Sequence, residues 1–576
     1  MLTLGINAAF HDSAACLVDD GRIIAAVEEE RLTAIKHAKR PTPFSAYELP
    51  FHAIDACLAE VAASISDVGQ IGYSFDPYLL LGCHAGDDTI ALPLEPSAHP
   101  IADEWEAAWD PLFLSSIVNA PRHLASGAPH HLQSRFAAPA DGSAARWHFV
   151  EHHTAHAASA FLASPFERAA VLTLDGRGEK ATTTYSIGRG TEIDRIGQVN
   201  MPHSLGLLYE RVTEYLGFQH SSDEYKVMAL ASYGEPSYLD DFRSMVRVGC
   251  DGQYTIAPLC LEQRFGPRRA PGGPIDQRHY DIARSLQACL EETVLELAYW
   301  LHEATGERRL CMAGGVALNC VLNARLRDDG PFDEIWVQPA AGDAGTALGA
   351  ALWLDARSDL GHRAAPMEDA FLGPAYGDDE IEALLRSSKL AYRRPDDIAV
   401  EAARLLGENR IIGWFQGAME FGPRALGARS ILASPRDPLM QERLNAIKDR
   451  EDFRPVAPVV LEERASEWFA PAHASPFMLF THRVLPERAS QIPAVRHVDG
   501  TARVQTVSAA RQPLFSQLLA ECDRRTGVPV LINTSFNTRG EPIVCTPRQA
   551  LCAYFGSPLD ALAIGPFLLE KPVTAS

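Results

Sequence analysis

One pattern occurs twice in this chain: a short apolar strand, a polar loop and a β-hairpin. Any fold has to accommodate both copies. In the first, Leu2 to Ile6 reads as a strand, Asn7 to Ser13 as a loop, and Ala14 to Val18 and Ile23 to Val27 as strands joined by the turn Asp19-Asp20-Gly21. In the second, Ala169 to Leu174 is a strand, Asp175 to Glu179 a polar glycine loop, and Ala181 to Ile187 opens a hairpin. Self-similarity in a fixed order is the sequence sign of an internal duplication. Hairpins with acidic turns are common, so chance recurrence stays open on this pattern alone.

Two such units resemble the halves of the actin-like ATPase and sugar-kinase architecture, where two loops approach nucleotide phosphates from opposite sides of a cleft. At 576 residues and 47% hydrophobic composition the chain exceeds what one core usually fills, so two domains are expected. The stretch Asp355 to Asp369 has no apolar period and is the best boundary, giving domains over residues 1–360 and 370–576. Residues 76–147 lose periodicity and read as an insertion with short helices around Glu104 to Val118, of the kind that shapes a substrate mouth; His130 and His131 within it read as exposed loop residues. The net charge of −22 argues against coating nucleic acid, whose phosphates are held mainly by Lys and Arg. Eleven cysteines without a CxxC pair suggest reduced thiols, not a disulfide framework or a zinc ribbon. No apolar run approaches the ~20 residues of a membrane span and the start of the chain has no secretory signature, so a cytoplasmic protein without membrane association is expected.

The run Val150-Glu151-His152-His153-Thr154-Ala155-His156 places His152 and His156 four apart, on one helical face. That spacing lets two neutral imidazoles bind one cation. An isolated HxxxH is as readily a pair of surface or capping histidines. Ile282, Leu286, Leu290, Val294, Leu297 and Leu301 recur at helical spacing up to Gly306, and a buried face explains them fully. Two strands ending in glycine loops follow. Arg309 to Met312 leads into Ala313-Gly314-Gly315-Val316-Ala317-Leu318-Asn319, and Glu334 to Gln338 leads to Asp343 at a loop apex before a helix of small residues. Small residues there permit close packing and can aim amide N–H groups at an anion. The chain contains no Gly-Lys pair, which excludes a P-loop.

The second domain opens with a strand over Arg410 to Phe415, then Glu420 to Ser430 and Lys448 to Pro455. Phe421 to Val456 carries seven basic and five acidic side chains, against the acidic balance of the whole. A solvated charged face accounts for that composition equally well. His497 to Gln505 and, after a strand over Val528 to Ile532, Asn533 to Pro542 add polar groups at strand ends suited to a phosphorylated ligand.

Taken together these segments resemble the NodU and tobramycin-type O-carbamoyltransferases. The matching signatures are His11-Asp12-Ser13-Ala14, Glu28-Glu29-Glu30-Arg31, Glu151 to Ala157, Asp175-Gly176-Arg177-Gly178-Glu179, Asp223-Glu224-Tyr225-Lys226-Val227-Met228, Gly422-Pro423-Arg424-Ala425-Leu426-Gly427 and Asn533-Thr534-Ser535-Phe536-Asn537. The resemblance implies an α/β protein. Its N-terminal domain is a duplicated ribonuclease-H-like, actin-type domain similar to that of the tRNA threonylcarbamoyl transferase, and its C-terminal domain is a YrdC-like α/β domain. The YrdC-like domain would convert carbamoyl phosphate and ATP to carbamoyl adenylate, and the other would pass the carbamoyl group to a hydroxyl of a small natural-product acceptor. Carried over residue by residue, His152, His156 and Asp343 would bind a divalent metal, with Fe2+ preferred over Mn2+ or Mg2+ and His153 beside them. Lys36, Asp175, Gly176, Arg177, Gly178, Gly314, Gly315 and Asn319 would hold the nucleotide, and Asp223 and Lys226 the acceptor. In the second domain Arg424, Arg429, Lys448, Arg450, Arg454, Arg503, Ser535, Asn537 and Arg539 would bind carbamoyl phosphate and ATP. A homodimer is left open.

An alcohol must lose its proton as it attacks a carbamoyl carbon, and a neutral imidazole is the natural acceptor. This points to His11 as base, with Asp12 orienting it or the acceptor. An actin-like kinase or metallohydrolase would leave the Arg-rich second domain unexplained. A nucleotide-switched binding protein without turnover would leave His11 and the Arg and Lys set unexplained, and the acidic balance disfavours RNA as acceptor.

Overall fold

The computed structural model describes residues 1–38, 49–81, 117–121, 124, 145–358, 363, 365–538 and 540–571. Arg539, His130, His131 and most of the 76–147 segment lie outside the described residues. The chain divides into two units, Met1–Thr33 with His37–Met367, and Ala34–Lys36 with Glu368–Ser576.

The first unit contains the duplication as two sheets of one topology. Strands β1 (Leu2–Asn7), β2 (Ala14–Asp19), β3 (Arg22–Glu28), β4 (Gln70–Tyr73) and β5 (Arg146–Phe149) lie in the order β3-β2-β1-β4-β5. The three at the β3 end are antiparallel, and β4 and β5 run parallel to β1. The repeat uses β6 (Arg168–Leu174), β7 (Ala181–Arg189) and β8 (Glu192–Asn200). A two-stranded ribbon of β9 (Val246–Val248) and β10 (Tyr254–Ile256) follows, then β11 (Arg309–Ala313) and β12 (Glu334–Val337). Its order β8-β7-β6-β11-β12 has the same antiparallel hairpin and the same two parallel neighbours. This is the ribonuclease-H-like arrangement of actin-type domains. In the β2–β3 turn Asp20 and Gly21 both take positive φ, 44° and 79°, which Asp-Gly tolerates and whose twist suits a tight hairpin.

A helix follows the last strand of each sheet, His152–Phe161 after β5 and Ala344–Asp355 after β12. These equivalent helices pack against each other so closely that a Cβ on Gly349 would lie 1.7 Å from the Ala155 carbonyl oxygen. The small-residue helix also lies on β1, where a Cβ on Gly5 would meet the Ala347 oxygen at 1.9 Å. The long helix Gln277–Thr305 begins at Asp276, whose carboxylate accepts from the His279 amide, and stops at Gly306 in the left-handed region.

In the second unit β13 (Ile412–Phe415), β14 (Arg429–Ala433), β15 (Ala457–Leu461), β16 (Phe469–Ala470), β17 (Thr481–Val484), β18 (Thr501–Arg503), β19 (Gln505–Val507), β20 (Val530–Ser535), β21 (Ala561–Ile564) and β22 (Phe567–Glu570) form two sheets. Seven strands lie in the mixed order β19-β15-β20-β14-β13-β21-β22, and β16-β17-β18 form a small antiparallel sheet. The central strands are covered on both faces, so β13, β14 and β15 are buried throughout. Ile412 and Trp414 pack with the helices Ile398–Gly407 and Pro513–Thr526, while Ile411 and Phe415 belong to the apolar cluster holding Met440, Leu444 and Tyr554. The strand expected over Val528 to Ile532 is shifted toward the C-terminus because its ladder with β14 runs on to the pair Ser430–Ser535. Among the described residues no helix is long and apolar enough to cross a membrane.

Candidate functional site

In the first unit His152, His156, Asp175 and Asp343 converge. All four are buried, and one donor atom from each lies within 4.8 Å of every other. His152 and His156 come from the first turn and a half of the helix after β5, Asp175 from the end of β6, and Asp343 from the start of the helix after β12. His152 Nδ1 donates to the Ser74 carbonyl at 3.1 Å, leaving Nε2 as the lone-pair nitrogen facing the two carboxylates. His152 Nε2 is 3.6 Å from Asp175 Oδ2 and 3.6 Å from Asp343 Oδ1, and His156 Nε2 is 3.9 and 3.8 Å from the same atoms. These separations are too long for hydrogen bonds, and they fit ligands held ~2.1 Å from one cation, which stand roughly 3.4 Å apart in a tetrahedral set. Neither ring nitrogen of His156 has a hydrogen-bond partner. Asp343 stands at a helix start without capping it, its carboxylate being turned to the imidazoles.

Electrostatics agree with a cation site. Burial acts to lower His152, but Asp175 and Asp343 outweigh it and hold the ring well above the usual imidazole range. The same field that attracts a proton to that lone pair attracts a metal ion. Burial and the neighbouring His152 depress His156 to about 4, leaving its ring neutral and able to ligate. His153 is neutral for the same reason, burial, and its Nδ1 bonds Thr173 Oγ1 at 2.7 Å. Two residues outside the expected ligand set complete the site. Asp175 is a fourth candidate ligand, and Glu179, from the same loop, accepts the His152 and Asp76 amides and so fixes the helix start. Their signal was available as the acidic residues that bracket the Asp175 to Glu179 loop.

Around this cluster the glycine loops close in. Asp175 Oδ1 accepts from the Gly315 amide at 2.7 Å, and Gly314, at φ 96°, leaves no room for a Cβ against the Leu174 backbone. A Cβ on Gly178 would press on His153, and Arg177 lies over the Phe10 ring at 5.4 Å. The Asn319 side chain caps the helix Cys320–Asp329 and exchanges hydrogen bonds with Gln287. Asp223 and Lys226 pair at 3.0 Å. Lys36 begins the short turn Lys36–Ala38. His11 and Asp12 lie in the β1–β2 loop, tied down by Asn7, whose Nδ2 donates to both of their carbonyls. Burial acts to raise Asp12, but His11 and His37 together hold its carboxyl well below the usual range.

In the second unit the loop Phe421 to Ala428 carries Arg424. Glu420, buried, accepts with one oxygen from the amides of Leu426, Ala428 and Arg429 at 2.7–3.1 Å, while Gln505 and Asn533 donate to the Leu426 and Ala425 carbonyls. Lys448 donates to the Ser535 carbonyl and hydroxyl and to Asn537 Oδ1. Burial and the adjacent Arg450 and Arg454 hold its ammonium well below the usual lysine range. Such a concentration of cations around one buried lysine suits a polyanion. Arg503 ends β18. Arg429 departs from this set: it is fully buried, lies 3.7 Å over the Phe415 ring and donates to the carbonyls of Pro374, Gln416, Gly417, Ala428 and Cys545. These contacts tie its guanidinium to the backbone of five residues.

The family model "Carbamoyltransferase N-terminus" matches residues 2–76 and 143–352, and "Carbamoyltransferase C-terminus" matches residues 403–571. The nodulation protein NolNO of Sinorhizobium fredii is 39% identical over 98% of this chain and 80% of its own length. The nodulation protein NolO of Bradyrhizobium diazoefficiens is 43% identical over 73% of this chain and 79% of its own. Among solved structures, T. kodakarensis HypF is 14% identical with a TM-score of 0.33, covering 62% of this chain and 47% of that one. Component A of the Acidaminococcus fermentans (R)-2-hydroxyglutaryl-CoA dehydratase is 13% identical with a TM-score of 0.32, covering 62% and 100%.

Proposed function

Since this chain belongs to the carbamoyltransferase family and is a carbamoyltransferase, we propose that its two units divide an ATP-dependent O-carbamoylation between them. In the second unit carbamoyl phosphate, ATP and water give carbamoyl adenylate, phosphate and pyrophosphate. In the first, a hydroxyl of a small acceptor displaces AMP from the adenylate. The observation that carries this reading is the presence of two chemically opposite sites: a buried imidazole and carboxylate cluster in one unit, and a cationic cluster around Lys448 in the other.

Arg424, Lys448, Arg450, Arg454 and Arg503 gather the phosphate oxygens, with Ser535 and Asn537 aligning Lys448. His152, His156, Asp175 and Asp343 hold a divalent ion, iron by preference, which when bound supplies Lewis-acid stabilisation of phosphate charge. The Asp175–Gly315 contact orders the loop that faces the nucleotide. Asp223 and Lys226 orient the acceptor, and His11, with Asp12, takes its proton.

An Arg454→Ala variant should fail to release pyrophosphate from ATP and carbamoyl phosphate, yet still transfer from supplied carbamoyl adenylate. Equal loss of both reactions would sink the division of labour. The acceptor class is found by incubating the wild-type chain with sugars, aminosugars, macrolides and hydroxy amino acids and searching by mass spectrometry for a carbamoyl increment.

A further inference from the structure

The segment Glu28-Glu29-Glu30-Arg31 plays no part in the site so far, although all four charged side chains are buried. Arg31 donates to Glu28 at 2.9 and 3.0 Å and pairs with Glu30 Oε1 at 2.7 Å. The other oxygen of Glu30 accepts the backbone N–H of His37 at 2.6 Å. His37 is held there at φ 59°, a left-handed conformation unfavourable for any residue with a Cβ. Burying this chain of Glu28, Arg31 and Glu30 and straining a turn both oppose folding, and the chain ends on the backbone that places the His37 imidazole.

That imidazole faces Asp12. His37 Nδ1 is 2.7 Å from Asp12 Oδ1, and His37 Nε2 is 2.9 Å from Ser222 Oγ. The second oxygen of the carboxylate, Oδ2, is 2.9 Å from His11 Nδ1. An ionised carboxylate only accepts, so both Nδ1 atoms carry protons, and in the neutral form of each ring Nε2 carries the lone pair. The lone pair of His37 accepts from the Ser222 hydroxyl, and that of His11 is the basic nitrogen. Separations of 2.7–2.9 Å are hydrogen bonds, unlike the 3.6–3.9 Å spacing of the His152 cluster, so this group is a relay, not a second metal site.

We propose that His37, seated by Glu30 and Ser222, is a positioning residue of the transfer step, clamping Asp12 so that His11 presents Nε2 to the acceptor hydroxyl. This rests on the carbamoyl-transfer reading. As the acceptor oxygen bonds the carbamoyl carbon, its proton passes to His11 Nε2. The bond from that carbon to the AMP phosphate oxygen breaks, and its electron pair leaves with AMP. Asp12 stabilises the imidazolium through His11 Nδ1–H, as the carboxylate of a catalytic triad does. Donors on both of its oxygens leave the carboxylate one orientation.

The full metal-loaded chain, labelled with 15N-histidine, should show His11 and His37 in the Nδ1-protonated tautomer, the signals being assigned with His11→Asn and His37→Asn. Using supplied carbamoyl adenylate and the panel acceptor that wild type carbamoylates, His37→Leu should lower kcat about 10- to 100-fold, the loss of one charged hydrogen bond, with acceptor KM unchanged. His37→Asn, whose amide can donate where Nδ1–H did, should recover most of it. An Nε2-protonated His37 in the wild type, a His37→Leu rate equal to wild type, or a failure of Asn to exceed Leu would each overturn the proposal. Should wild type transfer to nothing while both rings are Nδ1-protonated, the carbamoyl-transfer reading falls and the relay geometry stands.

Discussion

His156 carries two ring nitrogens without hydrogen-bond partners in a fully buried side chain, and each unmet polar atom costs ~1–3 kcal/mol unless something binds there. A bound cation removes one of those deficits. Replacing His156 by Ala should therefore lower bound divalent metal, measured by elemental analysis, together with transfer; unchanged occupancy would exclude it as a ligand. Asp175→Asn tests the residue that tertiary contact added to the set and should weaken metal affinity by at least about 10-fold. The pH response follows from charge. Neighbouring imidazoles keep Asp12 ionised well below the usual carboxylate range, so its charge is constant around neutrality. A protonated imidazole accepts no proton, so transfer from supplied adenylate should fall as the pH drops far enough to protonate His11 and plateau above that range. A rate that rises toward acid would instead make His11 a cationic phosphate donor.

Among the elements, the loop Phe421 to Ala428 depends on one carboxylate that accepts three backbone amides. Glu420→Gln removes its charge and should cost about 1–3 kcal/mol. Hydrogen exchange at the Leu426, Ala428 and Arg429 amides should speed up, and pyrophosphate release should fall through misplacement of Arg424. Unchanged exchange at those amides would show that another group holds the loop. The paired helices of the first unit are limited by space instead. Gly349→Val puts atoms into the Ala155 carbonyl and should lower the unfolding free energy, measured by denaturant titration, by more than the usual overpacking cost of about 1–3 kcal/mol, because backbone, not a flexible side chain, blocks it. Gly377→Ala, with nothing within 4 Å of the new Cβ, serves as its control and should stay within about 0.5 kcal/mol of the parent.

For the whole molecule, the separation of a carboxylate–imidazole site from a cationic site predicts that chelation splits the overall reaction. A metal-stripped chain should lose transfer from supplied adenylate and keep pyrophosphate release; loss of both would join the two chemistries. Much of this organisation is local in origin. Alternating apolar runs and the Asp-Gly turn determined the repeated strand and hairpin pattern, Gly306 the end of the long helix, and the four-residue spacing the common face of His152 and His156, because backbone period fixes face and direction. Tertiary structure alone decided which carboxylates those imidazoles meet, since Asp175 and Asp343 reach them only through the order of β5, β6 and β12 and the helix contact at Gly349. It also decided that His37 and Ser222 join Asp12, that Arg429 donates to backbone carbonyls and that Asn319 pairs with Gln287. A side chain's role depends on which donors and acceptors burial leaves it, and in these cases those partners come from chain segments far apart in sequence.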